Sequence, residues 1–186
     1  MGGYTWPQLI LGSLWFILPI GLANMAPVLF RSAMKFLAKP IDGGRLVMGR
    51  PLFGSHKTWR GLIFATGAGE IIFLMQLGII VTFPDVRHIT LFDYFSVPLW
   101  TGFILGFGAI FGDLFKSFVK RRVSVKPGER WFPFDQIDYL LGGLIAISLV
   151  NPVAWFVWVA VLVGGLILHL LVNNIGYALG LKDTRW

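Results

Sequence analysis

One apolar stretch constrains this chain more than any other feature. The 43 residues from Tyr139 to Leu181 contain no Asp, Glu, Lys or Arg, and His169 is the only histidine among them. As a single helix they would measure about 65 Å, roughly twice the thickness of a hydrocarbon core. Asn151-Pro152 is a turn-forming dipeptide in the middle of the stretch. The stretch therefore predicts two membrane spans joined by a turn.

Three further apolar stretches precede it, and the first 30 residues carry no charge at all. Charged residues make up 13% of the chain, against roughly a quarter in soluble domains. The first stretch is too long for a secretory signal and lacks a basic leader, so we expect it to remain as a helix. We predict an all-α integral membrane protein, with residues 1–186 forming one membrane domain. Its five transmembrane helices are expected at about 7–29, 61–83, 94–115, 135–150 and 153–178.

The distribution of Lys and Arg predicts the orientation of these helices. The five connecting and terminal segments after the first span hold seven, one, six, none and two of the 16 basic residues. Because basic residues favour the cytoplasmic side, we expect the N-terminus outside and the C-terminus in the cytoplasm. The loops 31–60 and 116–134 are then cytoplasmic. The chain has no cysteine, which excludes disulfides and thiolate metal sites.

Polar residues within the predicted spans lie toward the cytoplasmic side. They are Asn24, Glu70, His169, Asn173 and Asn174. Ionisable groups at membrane depth are costly and mark functional sites by default, whereas asparagines equally often bond neighbouring helices. We expect a polar cavity that opens to the cytoplasm, with Asn24 at its wall. The roles of the other four residues stay open.

The second basic loop concentrates carboxylates among cations. Asp113 is followed at i+3, i+4 and i+7 by polar residues that share its helical face, namely Lys116, Ser117 and Lys120. Asp135 and Asp138 also share a face if a helix begins before them. Carboxylates suit Mg²⁺, which proteins commonly hold together with substrate phosphates. The alternative is an ordinary cytoplasmic loop that attracts anionic lipid.

The first basic loop places Lys57, Thr58 and Arg60 at the start of the second span. The N-terminus of a helix favours phosphate, so these residues are candidate ligands of a nucleotide. Two residues separate Gly54 from Lys57, and a membrane span follows. This arrangement excludes the P-loop of soluble ATPases.

Several of these motifs together resemble a known enzyme family. Ser117-Phe118-Val119-Lys120-Arg121, Lys126-Pro127-Gly128 and Asp135-Gln136-Ile137-Asp138 are similar to the C-terminal signature of phosphatidate cytidylyltransferases. Asn24-Met25-Ala26-Pro27, Pro40-Ile41-Asp42 and Lys57-Thr58-Trp59-Arg60-Gly61 resemble the archaeal branch, the CDP-archaeol synthases. Gln136 and the segment 130–134 depart from the bacterial signature, which also favours the archaeal branch.

The resemblance implies a Mg²⁺-dependent cytidylyltransferase of the cell membrane. Its substrates would be CTP and a prenyl-ether lipid phosphate, digeranylgeranylglyceryl phosphate, and its products a CDP-activated lipid and pyrophosphate. Asp113, Asp135 and Asp138 would bind the metal and, with Lys120, form the catalytic group. The substrate-binding residues would be Lys57, Thr58, Arg60, Lys116, Ser117, Arg121 and Asn24.

Two alternatives stay open from the sequence. One is a cytidylyltransferase that acts on diacyl phosphatidate, and the other is a small transporter in which buried carboxylates carry protons or a coupling ion. We expect the bilayer as a partner and no nucleic acid, because the basic loops lack an independent folded module. The sequence does not decide between a monomer and a homodimer.

Overall fold

The computed structural model describes residues 3–125 and 129–180 and shows an almost entirely helical chain. Its α-helices in these ranges are α1 (Trp6–Leu29), α2 (Trp59–Thr82), α3 (Thr101–Arg122), α4 (Phe134–Ser148) and α5 (Trp155–Ala178). A small antiparallel hairpin, β1 (Leu46–Val47) paired with β2 (Arg50–Pro51), lies between α1 and α2. The helices α1 and α3 pack against α2, α4 packs on α3, and α5 packs on α1 and α4.

The helices have the lengths and surfaces of a multi-pass membrane protein. In the described part of the chain, α1, α2, α3 and α5 are long and apolar enough to cross a bilayer. Many large apolar side chains point outward from them, as lipid contact requires. The helix α4 has 15 residues and rises only about 22 Å, short of the roughly 30 Å hydrocarbon core. The coarse prediction of an all-α membrane protein is confirmed, with four rather than five helices of spanning length in these residues.

The third helix differs most from its expected position. It begins at Thr101 instead of residue 94 and continues to Arg122, into the expected loop 116–134. The apolar residues that precede it are buried in the protein core, among them Leu91, Phe92 and Tyr94. The late end follows from three basic residues in the last turn, which are favourable at a helix C-terminus.

Glu70 has a structural role that the sequence left open. Its carboxylate accepts a hydrogen bond of 2.9 Å from the backbone N–H of Phe103, in the first turn of α3. The first N–H groups of a helix have no partner within the helix, and α3 has no side-chain cap of its own. Glu70 therefore caps α3 from the neighbouring helix α2.

Glycines bring α3 and α4 into close contact. A Cβ atom on Gly112 would lie well inside 3.0 Å of the Asp138 carbonyl oxygen, and one on Gly142 equally close to the carbonyl of Gly108. Real Cβ atoms do not tolerate such distances, so only glycine permits this crossing. The crossing places Asp113, next to Gly112, beside the first turns of α4.

Candidate active site

Three lysines and three aspartates meet at one end of the helix bundle. Lys57 precedes α2, and the last turns of α3 and the first turns of α4 supply the others. We call this group the lysine–aspartate cluster; its members are Lys57, Lys116, Lys120, Asp113, Asp135 and Asp138. The structure thus brings together the three predicted carboxylates and three of the predicted cations.

Lys116 lies at the centre of the cluster. Its Nζ is 3.1 Å from Asp113 Oδ1, 3.1 Å from Asp135 Oδ1 and 2.7 Å from Asp138 Oδ2. The lysine side chain is 15% exposed and that of Asp138 only 6%. Since water is largely excluded, the charges interact more strongly than at a surface. One ammonium therefore holds three carboxylates around a common point.

The other two lysines pair with the outer aspartates. Lys57 forms a short ion pair with the second carboxylate oxygen of Asp113. Lys120 Nζ donates to both carboxylate oxygens of Asp135 at 3.1 Å, and to the carbonyl of Glu129 at 2.6 Å. The Trp131 N–H also donates to Asp135, at 2.6 Å. These bonds fix the lysine head groups in directions from which they can reach a phosphate.

The chemistry of the cluster suits a hard divalent cation. Asp138 Oδ2 is buried and accepts no hydrogen bond, because its contact with Lys116 lacks hydrogen-bond geometry. Carboxylate oxygens that converge in this way are typical magnesium ligands. Within residues 3–125 and 129–180, no three acidic or histidine side chains are already spaced as a metal site. Lys116 holds the point at which the carboxylates meet, and the three-aspartate magnesium site stays a prediction.

A cavity of about 570 Å³ adjoins the cluster on its basic side. We call it the basic cavity. Its charged and polar lining includes Arg50, Lys57, Lys116, Ser117, Lys120 and Arg121. The volume falls in the range of small-molecule sites, and the lining is rich in cations that suit a polyphosphate. Ser117 and Arg121, which were both predicted to bind substrate, line this cavity.

Asp42 fixes the wall of the basic cavity. Its Oδ1 accepts from the N–H of Gly44 at 2.9 Å, and its Oδ2 from Phe53 at 3.0 Å and Gly54 at 3.2 Å. Burial raises the pKa of the Asp42 carboxyl, but the backbone donors Phe53, Gly44 and Gly54 lower it by more, so the pKa lies below its usual value. Phe53 and Gly54 line the cavity, so the carboxylate shapes it from behind.

The β-hairpin is fastened to the end of α3. Arg50 Nη1 donates to the carbonyls of Arg121 and Arg122, at 2.9 Å each. Arg122 returns a bond of 2.6 Å from Nη1 to the carbonyl of Val47. The last carbonyls of a helix lack partners within it, so Arg50 satisfies two of them. This reciprocal contact closes one side of the basic cavity.

A second cavity of about 330 Å³ lies deeper, between α1, α2 and α3. Asn24, Thr58 and Asp113 line it, and Lys57 lines both this cavity and the basic one. Thr58 Oγ1 caps α2 by accepting from the N–H of Gly61 at 3.2 Å. Asn24 and Thr58 thus share a cavity with two members of the cluster, Lys57 and Asp113, and their binding of substrate stays a prediction.

A third cavity, of about 280 Å³, lies between α3 and the start of α4. Phe115, Val119 and Ile137 form part of its apolar wall. The charged residues in its lining are Lys116 and Asp138, both members of the lysine–aspartate cluster. We call it the apolar cavity. Lys116 therefore lines two cavities, one rich in cations and the other apolar.

Five polar residues singled out in the sequence line none of these three cavities: Arg60, Glu70, His169, Asn173 and Asn174. Arg60 donates to the carbonyl of Ala33 at 3.3 Å. Asn174 donates to the carbonyl of Leu170 at 2.8 Å, one turn back along α5. His169 and Asn173 also belong to α5, which packs on α1 and α4.

Two residues that shape the site, Asp42 and Arg50, had no role predicted from the sequence. Asp42 precedes two glycines, a pattern that forms turns closed by the aspartate side chain, and this signal could have identified it. Arg50 gave no such signal, because it was one of seven basic residues in a loop where basic residues are expected.

Comparison with known proteins gives a consistent result. The family model described as CarS-like, CDP-archaeol synthase, matches residues 7–186. CDP-archaeol synthases from Methanocaldococcus jannaschii and Methanopyrus kandleri are 33% and 37% identical, over 96% and 100% of this chain and 98% of each relative. The relative from Methanosphaerula palustris is 39% identical over 91% of this chain and its own full length.

A solved structure is also similar. It is described as an intramembrane enzyme for the biosynthesis of archaeal membrane lipids. It superposes with a TM-score of 0.68 at 28% identity, and the match covers 88% of this chain and 94% of that one. The similarity therefore extends well beyond the residues of the site.

Proposed function

Because the chain belongs to the CDP-archaeol synthase family, we propose that it transfers the cytidylyl group of CTP to digeranylgeranylglyceryl phosphate. The products are a CDP-activated ether lipid and pyrophosphate. The observation that carries the proposal is the position of the lysine–aspartate cluster between the basic and the apolar cavity. Lys116 lines both cavities, so a water-soluble polyphosphate in one and a lipid phosphate in the other can approach the same ammonium.

The reaction needs alignment and charge neutralisation more than a nucleophilic side chain. The phosphate oxygen of the lipid is already anionic at neutral pH and attacks the α-phosphorus of CTP. A new P–O bond forms as the bond between the α-phosphorus and the bridging oxygen breaks, and pyrophosphate leaves with that electron pair. Lys57, Lys116 and Lys120 offset the charge on both phosphates. The aspartates hold these lysines in place.

We further propose that Mg²⁺ is the cofactor and that Asp113, Asp135 and Asp138 hold it. Bound there, the ion would supply neutralisation of the triphosphate and support for the leaving group. The ammonium of Lys116 would have to leave the point at which the carboxylates converge. Once displaced, Lys116 can turn to a phosphate, since it also lines the basic cavity.

We place the active site on the cytoplasmic side of the cell membrane. The distribution of basic residues supports this orientation, because residues 31–60 hold seven Lys and Arg, whereas residues 83–100 between α2 and α3 hold one. The N-terminus is then outside and the C-terminus in the cytoplasm. We propose that α4 completes the five-helix membrane domain as a shorter segment whose first turn lies at the membrane edge.

Transfer of label from CTP tests this function. Purified protein in detergent is given Mg²⁺, the prenyl-ether lipid phosphate and CTP labelled at the α-phosphate. We expect the label to enter the organic phase in a CDP-lipid, and Asp138→Asn to abolish this transfer. The control is Asp85→Asn, which alters an exposed aspartate at the opposite end of α2. Label released only as free CMP would contradict the proposal.

A further inference from the structure

The apolar cavity has the form of a site for one segment of a lipid. Its walls come from α3 and α4, with Phe115 and Val119 on one side and Ile137 and Leu141 on the other. Its volume of about 280 Å³ lies below the roughly 300–1,000 Å³ of sites that enclose a drug-sized ligand. It can therefore enclose only part of a long-chain molecule.

The cavity ends at two charged residues, Lys116 and Asp138, which form an ion pair of 2.7 Å. Lys116 lines both the apolar and the basic cavity, and its ammonium is the centre of the lysine–aspartate cluster. Once Lys116 turns from the carboxylates to a phosphate, an apolar space beside its ammonium is complementary to an amphiphile with an anionic head and a hydrocarbon body. A free nucleotide does not match this space, because it would leave phosphate charge against aromatic and aliphatic walls.

The cavity also continues onto the lipid-facing surface of α3. Phenylalanines at every fourth position form an exposed stripe along this helix: Phe103, Phe107, Phe111 and Phe115, which are 45 to 61% exposed. The rings of Phe107 and Phe111 stack with centroids 6.1 Å apart. Phe115 belongs both to the stripe and to the cavity lining. A hydrocarbon chain on this stripe thus has an unbroken apolar path to Lys116.

We propose that the apolar cavity binds the chain segments next to the glycerol of the lipid phosphate, with its phosphate at Lys116 and the remaining chain along the phenylalanine stripe. This inference rests on the proposed function and assigns its lipid subsite. The basic cavity then receives the nucleotide alone. Two substrates of opposite polarity enter from different sides and meet at one ammonium.

Filling the cavity tests the assignment. Ile137→Trp adds bulk to one wall without changing any charge, and Val119→Phe adds it from the opposite wall. Both variants should raise KM for the prenyl-ether lipid phosphate by at least about tenfold. A change of this size is typical when a group does not fit an apolar pocket. KM for CTP should stay at its wild-type value.

The matched control is Ile145→Trp, the same change on the same helix at a side chain that is 55% exposed and outside the cavity. It should leave KM for both substrates unchanged. A wild-type lipid KM in both cavity variants, with CTP turnover retained, would overturn the lipid subsite and leave the proposed function intact. Wild-type protein that consumes no CTP with any lipid phosphate would instead refute the proposed function.

Discussion

Lys116 is the residue on which the balance of charge in the site depends. Its ammonium stands between three carboxylates, and removing one partner of a buried ion pair leaves uncompensated charge that costs about 3–5 kcal/mol. We expect Lys116→Gln to lower the melting temperature in detergent and to reduce cytidylyl transfer by at least about a hundredfold.

The same variant tests the magnesium proposal without an activity assay. If Mg²⁺ can occupy the point that Lys116 leaves, it should raise the melting temperature of Lys116→Gln by more than that of wild type. Lys35→Gln, at an exposed position between α1 and the hairpin, is the control and should behave as wild type. An equal or smaller Mg²⁺ effect in Lys116→Gln would contradict metal binding by the three aspartates.

Asp42 should make the loop that it holds sensitive to acid. The backbone donors keep its pKa in the folded protein below the ordinary value of 3.8. A carboxyl with a lowered pKa contributes stability above its unfolded pKa, and that contribution is lost as the pH falls through the folded pKa. Asp42→Asn should therefore lower the melting temperature at pH 7, and the difference from wild type should shrink below about pH 4.

Melting curves of wild type and Asp42→Asn across this pH range provide the measurement. We also expect a higher KM for CTP in the variant, because Phe53 and Gly54 line the basic cavity. Asp85→Asn is the control for a change of charge at an exposed aspartate. A constant difference from pH 7 to about pH 3 would show that ionised Asp42 does not stabilise the loop.

Helical spacing was sufficient to predict the core of the site at the residue level. The intervals between Asp113, Lys116 and Lys120 placed them on one face of a helix, and the structure shows all three in one cluster. The contact of Arg60 with Ala33 depends on the path of an irregular loop. Local spacing carries no information on such a path, and binding of a phosphate by Arg60 stays a prediction.

Among the elements, the crossing of α3 and α4 determines how closely the carboxylates approach each other. We expect Gly142→Ala to force the two helices apart, because its Cβ would meet the carbonyl of Gly108 well inside 3.0 Å. Both the melting temperature and cytidylyl transfer should fall. Gly67→Ala is the matched control within α2, since a Cβ there meets nothing within 4 Å. Equal behaviour of the two variants would show that this contact does not organise the site.

The apolar pattern predicted the bounds of some helices more accurately than those of others. Residues 7–29, 61–83 and 153–178 were expected as spans and correspond closely to α1, α2 and α5, because lipid-facing helices need long apolar runs. The start of α3 was misplaced, since hydrophobicity does not distinguish burial by lipid from burial by protein. Leu91 and Tyr94 are buried by the protein itself. The short α4 likewise has an apolar sequence but less than the spanning length.

For the whole molecule, the proposed function requires that the basic cavity face the cytoplasm. The chain has no cysteine, so single cysteines can report topology without a background. Ser55→Cys, in the lining of the basic cavity, should react with a membrane-impermeant thiol reagent only from the cytoplasmic side, and CTP should protect it. Ser96→Cys, exposed between α2 and α3, should react only from outside. The reverse pattern would invert the proposed orientation.

We propose that this membrane protein transfers the cytidylyl group of CTP to a prenyl-ether lipid phosphate. The most direct measurement is pyrophosphate release by the purified protein in detergent with Mg²⁺, comparing CTP with ATP, GTP and UTP, and the prenyl-ether lipid phosphate with a diacyl phosphatidate. We predict release that requires both CTP and the prenyl-ether lipid. Equal release with the diacyl lipid would contradict the assignment of the lipid substrate, and folded protein that releases none with any pair would contradict cytidylyl transfer itself.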